Sequence, residues 1–247
     1  PWSHATVLTH VLKGWQDRLP LQWAGGPRVE GYALLPNGPL CGAEPSHLHT
    51  FYSRSQADFS GRVTVPVLWD IQNNRILSNS SADIIAALNH GPKGPDLLSA
   101  ARIAEIETLL PTIYDGLSNA VYRAGFAERQ DEYDSAVDTV FATLDGLETR
   151  LADGPFLFGS DLTVADIRLF ASLVRFDTVY ATHFRCTRKR LVDYPALWRF
   201  TRRIYQLPGI PETIDFDEVR YGYYVNDGSH NPFGIVGQPP EIDWFDT

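Results

Sequence analysis

The stretch GRVTVPVLWD, residues 61–70, constrains the fold of this chain more than any other. Its β-branched residues predict a strand, yet Pro66 stands in the middle of it. Proline has no backbone N–H, so it is tolerated in a sheet only at an edge or where the backbone stays unpaired. A bond that precedes proline, such as Val65–Pro66, is also one of the few peptide bonds that can be cis. Asn73 and Asn74 then predict a turn, and the NSS sequence at residues 79–81 predicts a helix capped by Asn or Ser.

Two interpretations of this strand and helix remain open on the local pattern. Unpaired backbone at Val65, facing the N-terminus of the next helix, would suit an extended peptide that carries a carboxylate. The alternative is an ordinary edge strand whose proline has no function.

The overall composition narrows the class of protein. A chain of 247 residues is long enough for two domains of about 80 and 150 residues. Its net charge of −9 makes nucleic acid an unexpected partner, and the short basic run at residues 185–190 is typical of a solvated surface. No apolar stretch approaches the roughly 18 residues of a membrane span. Two cysteines, Cys41 and Cys186, fit a reducing compartment, so we expect a cytoplasmic protein.

The first part of the chain predicts a small α/β domain over residues 1–89. Its expected elements are a helix at 1–14, a possible strand at 21–23, a helix at 47–57, strands at 63–69 and 75–77, and a helix at 81–89. Residues 25–46 form a Gly- and Pro-rich insertion that contains Tyr32 and Cys41. The sequence HGPKGP at 90–95 predicts a linker.

Beyond the linker, residues 97–247 predict an all-helical domain with a long tail. A first amphipathic face starts at Ile103 and is expected to kink at Pro111. Apolar residues at helical spacing cover 133–151, residues 163–166 form a capping box with Asp in the place of Glu, and Tyr194-Pro195 opens another helix. From Ile214 the chain predicts an aromatic, irregular tail.

Several tyrosines lie in segments that by themselves indicate only packing. These segments are NAVYRAGFA at 119–127, FDTVY at 176–180, HFRC at 183–186, YGYY at 221–224 and SHNPFGIV at 229–236. In this order they resemble the xi-class glutathione transferases, the S-glutathionyl-hydroquinone reductases, from Pro1 to about Val236. The sequence LTVAD at 162–166 is common to most glutathione transferases and supports only the fold.

The resemblance implies a glutathione transferase fold, with a thioredoxin-like α/β domain followed by an all-α domain. It implies a glutathione-dependent reductase or transferase that acts on a quinone- or hydroquinone-like aromatic, and a homodimer without metal. In the family a Cys-Pro-Trp-Ala motif opens the first helix, and Pro1-Trp2-Ser3 matches its last three positions. We therefore expect a small polar residue, cysteine or serine, directly before Pro1, preceded by the first strand. Cysteine, the family's nucleophile, is the favoured residue, whereas serine would favour chemistry without a catalytic cysteine. Neither Cys41 nor Cys186 matches that position.

The resemblance also assigns site residues. Val65 and Pro66 match the clamp on the glutathione backbone, and Ser81 matches the serine that meets the γ-glutamyl carboxylate, with Ser80 and Tyr32 beside the glutathione. Candidate catalytic tyrosines are Tyr122, Tyr223 and Tyr224, and Trp2, Tyr122 and Tyr223 are expected in the aromatic substrate pocket.

Three positions depart from the family pattern. Ser80 replaces an acidic residue, Tyr32 replaces a tryptophan, and Ala5 replaces an arginine. Two alternatives to the reductase therefore stay open. One is an enzyme of the same fold without a catalytic cysteine, performing conjugation, isomerisation or lyase chemistry with Tyr122 and Tyr223 as acid–base groups. The other is a binding protein that catalyses nothing.

Overall fold

A computed structural model describes residues 1–36, 38–40 and 47–245, so Cys41 lies outside the described residues. The chain forms two compact units. One comprises Trp2–Gly94, and the other comprises Pro1 together with the chain from Pro95 onward. Within the described residues, no helix is both long and apolar enough to cross a membrane.

The unit Trp2–Gly94 alternates helices with two short antiparallel sheets. Its elements are α1 (Trp2–Leu12), β1 (Ala24–Gly25), β2 (Ala33–Leu34), α2 (Leu48–Ser55), β3 (Leu68–Asp70), β4 (Arg75–Ser78) and α3 (Ser81–Leu88). Strand β1 pairs with β2 and β3 pairs with β4, with a bulge between Leu68 and Trp69. The predicted turn is present, because Asn74 adopts a φ of 50° and the Asp70 carboxylate accepts the backbone N–H of Asn73.

The strand predicted at residues 63–69 is wrong in its first part. Only Leu68–Asp70 join the ladder, and among the described residues no strand pairs with residues 63–67. Pro66 cannot donate to a ladder, and the Val65–Pro66 bond is cis. The strand predicted at 21–23 is also displaced, since β1 begins at Ala24.

Packing against α2 holds this unpaired segment in place. The helix buries Leu48, Phe51 and Tyr52, and the Tyr52 hydroxyl donates to the Thr64 carbonyl at 2.8 Å. Val63, Val65 and Val67 pack against the same core. The backbone around Pro66 is thus fixed by side chains rather than by a β-ladder.

The unit from Pro95 onward is helical. Its helices are α4 (Ile103–Ile113), α5 (Ala120–Gly125), α6 (Gln130–Arg150), α7 (Val164–Leu173), α8 (Pro195–Tyr205) and α9 (Phe216–Asn226). A π-helical turn, Tyr114–Ser118, joins α4 to α5, and a second one, Phe176–Tyr180, follows α7. Pro111 lies in the last turn of α4, just before the first π-helical turn.

The capping box predicted at Thr163 is confirmed. The backbone N–H and the hydroxyl of Thr163 both donate to Asp166 Oδ2 at 2.8 Å, and the Leu157 N–H donates to Asp166 Oδ1 at 2.8 Å. Burial nevertheless raises the pKa of the Asp166 carboxyl, although these hydrogen bonds oppose the shift.

The prediction of an irregular tail from Ile214 is wrong, because the tail contains α9. Asp215 caps this helix by accepting the N–H groups of Asp217 and Glu218, each at 3.0 Å. Aromatic residues and glycine are weaker helix formers than aliphatic ones, which conceals the helix in the sequence. The correction matters because α9 contains Tyr223 and Tyr224.

Candidate active site

Three tyrosine hydroxyls meet inside the helical unit. The Tyr223 hydroxyl oxygen lies 2.7 Å from that of Tyr122 and 3.2 Å from that of Tyr180. Tyr122 lies in α5, Tyr180 ends the second π-helical turn, and Tyr223 lies in α9, so three separate elements supply this tyrosine cluster. Tyr223 is the shared member of both contacts.

The surroundings of the cluster keep two of these hydroxyls protonated at neutral pH. Burial raises the pKa of Tyr122 well above its ordinary value, and the nearby Tyr223 adds to the shift. Burial likewise raises the pKa of Tyr180, again with Tyr223 adding to it, while Arg175 opposes both shifts. A phenol with a raised pKa is a weaker acid than free tyrosine, so it stays protonated at neutral pH and gives up its proton only to a strongly basic group.

Aromatic rings surround the cluster. The Phe184 ring stacks on Tyr180 at 5.6 Å between centroids and meets the edge of Tyr122 at 5.0 Å. Such contacts fix ring orientation beyond what burial alone achieves. The tyrosine hydroxyls are therefore held in a preformed arrangement.

The structure distinguishes Tyr223 from Tyr224, which the sequence alone could not do. Tyr223 joins the cluster, whereas the Tyr224 hydroxyl lies 2.9 Å from Thr182 Oγ1 and the Tyr224 ring packs on His183. Sequence reasoning missed Tyr180 as a member of this cluster. The FDTVY segment at residues 176–180 contains Tyr180, but the sequence analysis used this segment only as evidence for the family resemblance.

The residues predicted to bind glutathione all lie in the other unit. Ser80 Oγ caps α3 by accepting the Asp83 N–H at 3.3 Å, and Ser81 is the first residue of that helix. The side chain of Ser81 is partly exposed at the helix N-terminus, where backbone N–H groups and the helix dipole favour an anion. The cis Val65–Pro66 segment belongs to the same unit.

The two remaining predicted residues are placed as follows. The ring of Tyr32 is half-buried against the α2 core, with the Arg28 guanidinium 4.7 Å from its centroid. Trp2 is the first residue of α1 and is also half-buried.

Neither nucleophilic chemistry at Cys186 nor a metal centre is supported. Cys186 is fully buried, and burial raises the pKa of its thiol to about 12, which keeps the thiolate population negligible at neutral pH. Over residues 1–36, 38–40 and 47–245, no group of three or more His, Cys, Asp or Glu could hold a metal ion.

Comparison with known proteins agrees with the fold. Residues 130–203 match the family model described as the C-terminal domain of glutathione S-transferase. The helical unit with its capping box and the α/β unit with its cis-proline segment are those of a glutathione transferase.

Individual relatives narrow the class. Glutathionyl-hydroquinone reductase YqjG of Escherichia coli is 41% identical to this chain, and the alignment covers 98% of this chain and 77% of YqjG. The glutathione-bound structure of YqjG superposes with a TM-score of 0.94, and the superposition covers 100% of this chain and 83% of that one. Glutathionyl-hydroquinone reductase PcpF of Sphingobium chlorophenolicum is 36% identical over 97% of this chain and 80% of its own. The xi-class enzyme of Natrialba magadii is 35% identical with a TM-score of 0.94, covering 100% and 79% of the two chains. The chain belongs to the xi-class glutathione transferases, the family of the glutathionyl-hydroquinone reductases.

Proposed function

We propose that this protein is a glutathione-dependent reductase that removes glutathione from glutathionyl-hydroquinones or related quinone-like aromatics. The tyrosine cluster is the observation that carries the proposal, because it presents protonated phenols, and a ring carbon that keeps the electron pair of a broken carbon–sulfur bond is basic enough to take their proton. The relatives named above support it, since two of them are glutathionyl-hydroquinone reductases.

In the proposed reaction, a thiolate attacks the sulfur of the glutathionyl group, and the bond from that sulfur to the ring carbon breaks. The electron pair of the broken bond stays on the ring carbon, which takes a proton from Tyr122 or Tyr223. Free glutathione then attacks the mixed disulfide, giving glutathione disulfide and restoring the thiol. The thiolate expected for this step is the cysteine of the family motif, directly before Pro1.

Glutathione is proposed to bind to the unit Trp2–Gly94. Its cysteinyl backbone would pair with the free backbone of Val65 beside Pro66, and its γ-glutamyl carboxylate would meet Ser81 at the N-terminus of α3. Ser80 caps the helix and supplies no charge for the γ-glutamyl ammonium, so we expect weaker binding than in a site with a carboxylate there.

The compartment and the oligomeric state are also part of the proposal. We propose that the protein works in the cytoplasm as a homodimer. The formal charge of −9 and the modest cysteine content are compatible with that compartment.

The decisive experiment supplies a glutathionyl-hydroquinone and reduced glutathione to the full-length protein. Chromatography should detect one free hydroquinone and one glutathione disulfide for each substrate consumed. Release of no hydroquinone would contradict the proposal, and addition of glutathione to a quinone without any release would instead indicate the cysteine-free transferase chemistry.

A further inference from the structure

A hydrogen-bonded pair of side chains lies beside the tyrosine cluster without belonging to it. His183 Nε2 is 2.7 Å from Asp227 Oδ2, and a carboxylate only accepts, so this nitrogen carries the hydrogen and donates it. The two side chains are 7% and 13% exposed. Water and salt therefore screen this contact far less than an ion pair on the surface.

The position of Asp227 in its own helix is locally unfavourable. Asp227 is the C-terminal cap of α9, where the carbonyl end of the helix dipole repels a negative charge. Asp227 also precedes the 3-10 turn Gly228–His230, but its side chain makes no capping hydrogen bond there, and its carboxylate contacts His183 instead.

The same segment contacts α9 at a second point. The ring of His183 lies 4.1 Å from that of Tyr224, and Thr182 Oγ1 lies 2.9 Å from the Tyr224 hydroxyl. Residues 182–183 thus hold both Tyr224 and Asp227, three positions apart along α9. Tyr223, the member of the cluster that α9 supplies, directly precedes Tyr224, and its hydroxyl contacts those of Tyr122 and Tyr180.

We infer that His183 and Asp227 are a positioning pair, which fixes α9 so that the Tyr223 hydroxyl stays within hydrogen-bond distance of Tyr122 and Tyr180. Tyr180 and His183 lie three residues apart on one segment, so the pair sets the register between that segment and α9. Neither residue of the pair takes part in the chemistry itself. This inference rests on the proposed function only in taking Tyr223 as part of the reaction.

The geometry leaves little tolerance for movement of α9. A hydroxyl–hydroxyl contact of 2.7 Å is lost when either oxygen moves by about 1 Å, and a misplacement of that size can cost about a hundredfold in rate. We therefore expect Asp227→Ala to lower kcat by about ten- to a hundredfold with little change in KM.

The test measures Asp227→Ala in the full-length protein by three readouts. These are turnover of the glutathionyl-hydroquinone, hydrogen exchange of the peptide that covers α9, and absorbance titration of the tyrosines at alkaline pH. We expect faster exchange, and we expect the late-titrating tyrosines to move toward their ordinary pKa because the cluster is less enclosed. Asp227→Asn keeps an oxygen that accepts from His183, so it should restore most of the turnover.

A matched control is Glu218→Gln, which removes an exposed carboxylate from the same helix and should leave the turnover and the tyrosine titration unchanged. If Asp227→Ala destabilises the protein but leaves kcat and the tyrosine titration unchanged, the inference is wrong. If Asp227→Ala fails to fold, Thr182→Val is measured in its place, because it removes the contact between Thr182 and the Tyr224 hydroxyl. The inference then requires lower turnover, faster exchange of α9 and a tyrosine titration closer to the ordinary pKa. A wild-type protein without reductase activity would refute the proposed function, and the exchange and titration readouts would still decide the inference.

Discussion

The hydroxyls of Tyr122 and Tyr223 lie 2.7 Å apart, although 101 positions separate the two residues along the chain. Their contact joins α5 to α9 and makes each phenol a hydrogen-bond partner of the other. It is the feature from which the proposed proton transfer follows.

Removing the Tyr122 hydroxyl should slow the reaction. We expect Tyr122→Phe to lower turnover of a glutathionyl-hydroquinone by about a hundredfold, since a general acid contributes roughly 10²–10⁴. The measurement is the rate of hydroquinone release under saturating glutathione. Tyr221→Phe is the matched control, because Tyr221 lies on α9 but is exposed. Equal rates for wild type and Tyr122→Phe would reduce Tyr122 to a packing residue.

Removing the Ser81 hydroxyl should weaken glutathione binding. A hydrogen bond to a charged group is worth about 1.5–3 kcal/mol, so calorimetric titration should show Ser81→Ala binding glutathione at least about tenfold more weakly. Ser53→Ala is the control, since Ser53 is exposed and its hydroxyl donates to the carbonyl of His49 within the same helix. Indistinguishable affinities of wild type and Ser81→Ala would exclude this position for the carboxylate.

Two glycine substitutions in the helical unit should change stability in opposite directions. A Cβ added at Gly125 would fall on the ring of Phe184, which packs on Tyr122 and Tyr180, so Gly125→Ala should cost about 1–3 kcal/mol. Gly146 lies within α6 and has open space around it, so Gly146→Ala should add about 0.5–1 kcal/mol. Urea unfolding measures both, and a destabilised Gly146→Ala would show that α6 is packed differently.

The Asp166 carboxyl should give stability a specific pH dependence. Because burial raises its pKa in the folded state, the unfolded chain ionises first as pH rises above about 4. The contribution of Asp166 is then fully present below the unfolded pKa and declines as pH rises through the folded pKa. The difference in unfolding free energy between wild type and Asp166→Asn should therefore shrink as the pH rises above about 4. A difference that grows with pH would mean that hydrogen bonding outweighs burial.

Cys186 should be inert in the native protein. Its thiol is buried and its pKa is raised to about 12, so iodoacetamide should modify it only after unfolding. Peptide mapping by mass spectrometry before and after denaturation measures this. Rapid modification of Cys186 under native conditions would contradict the burial described above.

The sequence could predict local features whose causes lie within a few residues. The capping box at Thr163, the start of α3 at Ser80 and the turn at Asn74 depend on side chains that contact neighbouring backbone. The tyrosine cluster could not be predicted from spacing, because its members come from three elements brought together by tertiary packing. Helix α9 escaped prediction for a related reason, since it is stabilised by contacts with distant residues such as His183 rather than by an aliphatic face.

The first π-helical turn, Tyr114–Ser118, has a consequence for how the chain can vary. A π-turn contains one residue more than an α-helical turn, and one residue rotates everything after it by about 100° around the helix axis. Deleting a single residue there would give a more regular helix while turning Tyr122 away from Tyr223. The same rotation would carry Val121 and Ala124, both fully buried in α5, away from their packing partners. The extra residue of the π-turn therefore couples two requirements, so that a change of length in this region should disturb the core and the tyrosine cluster together.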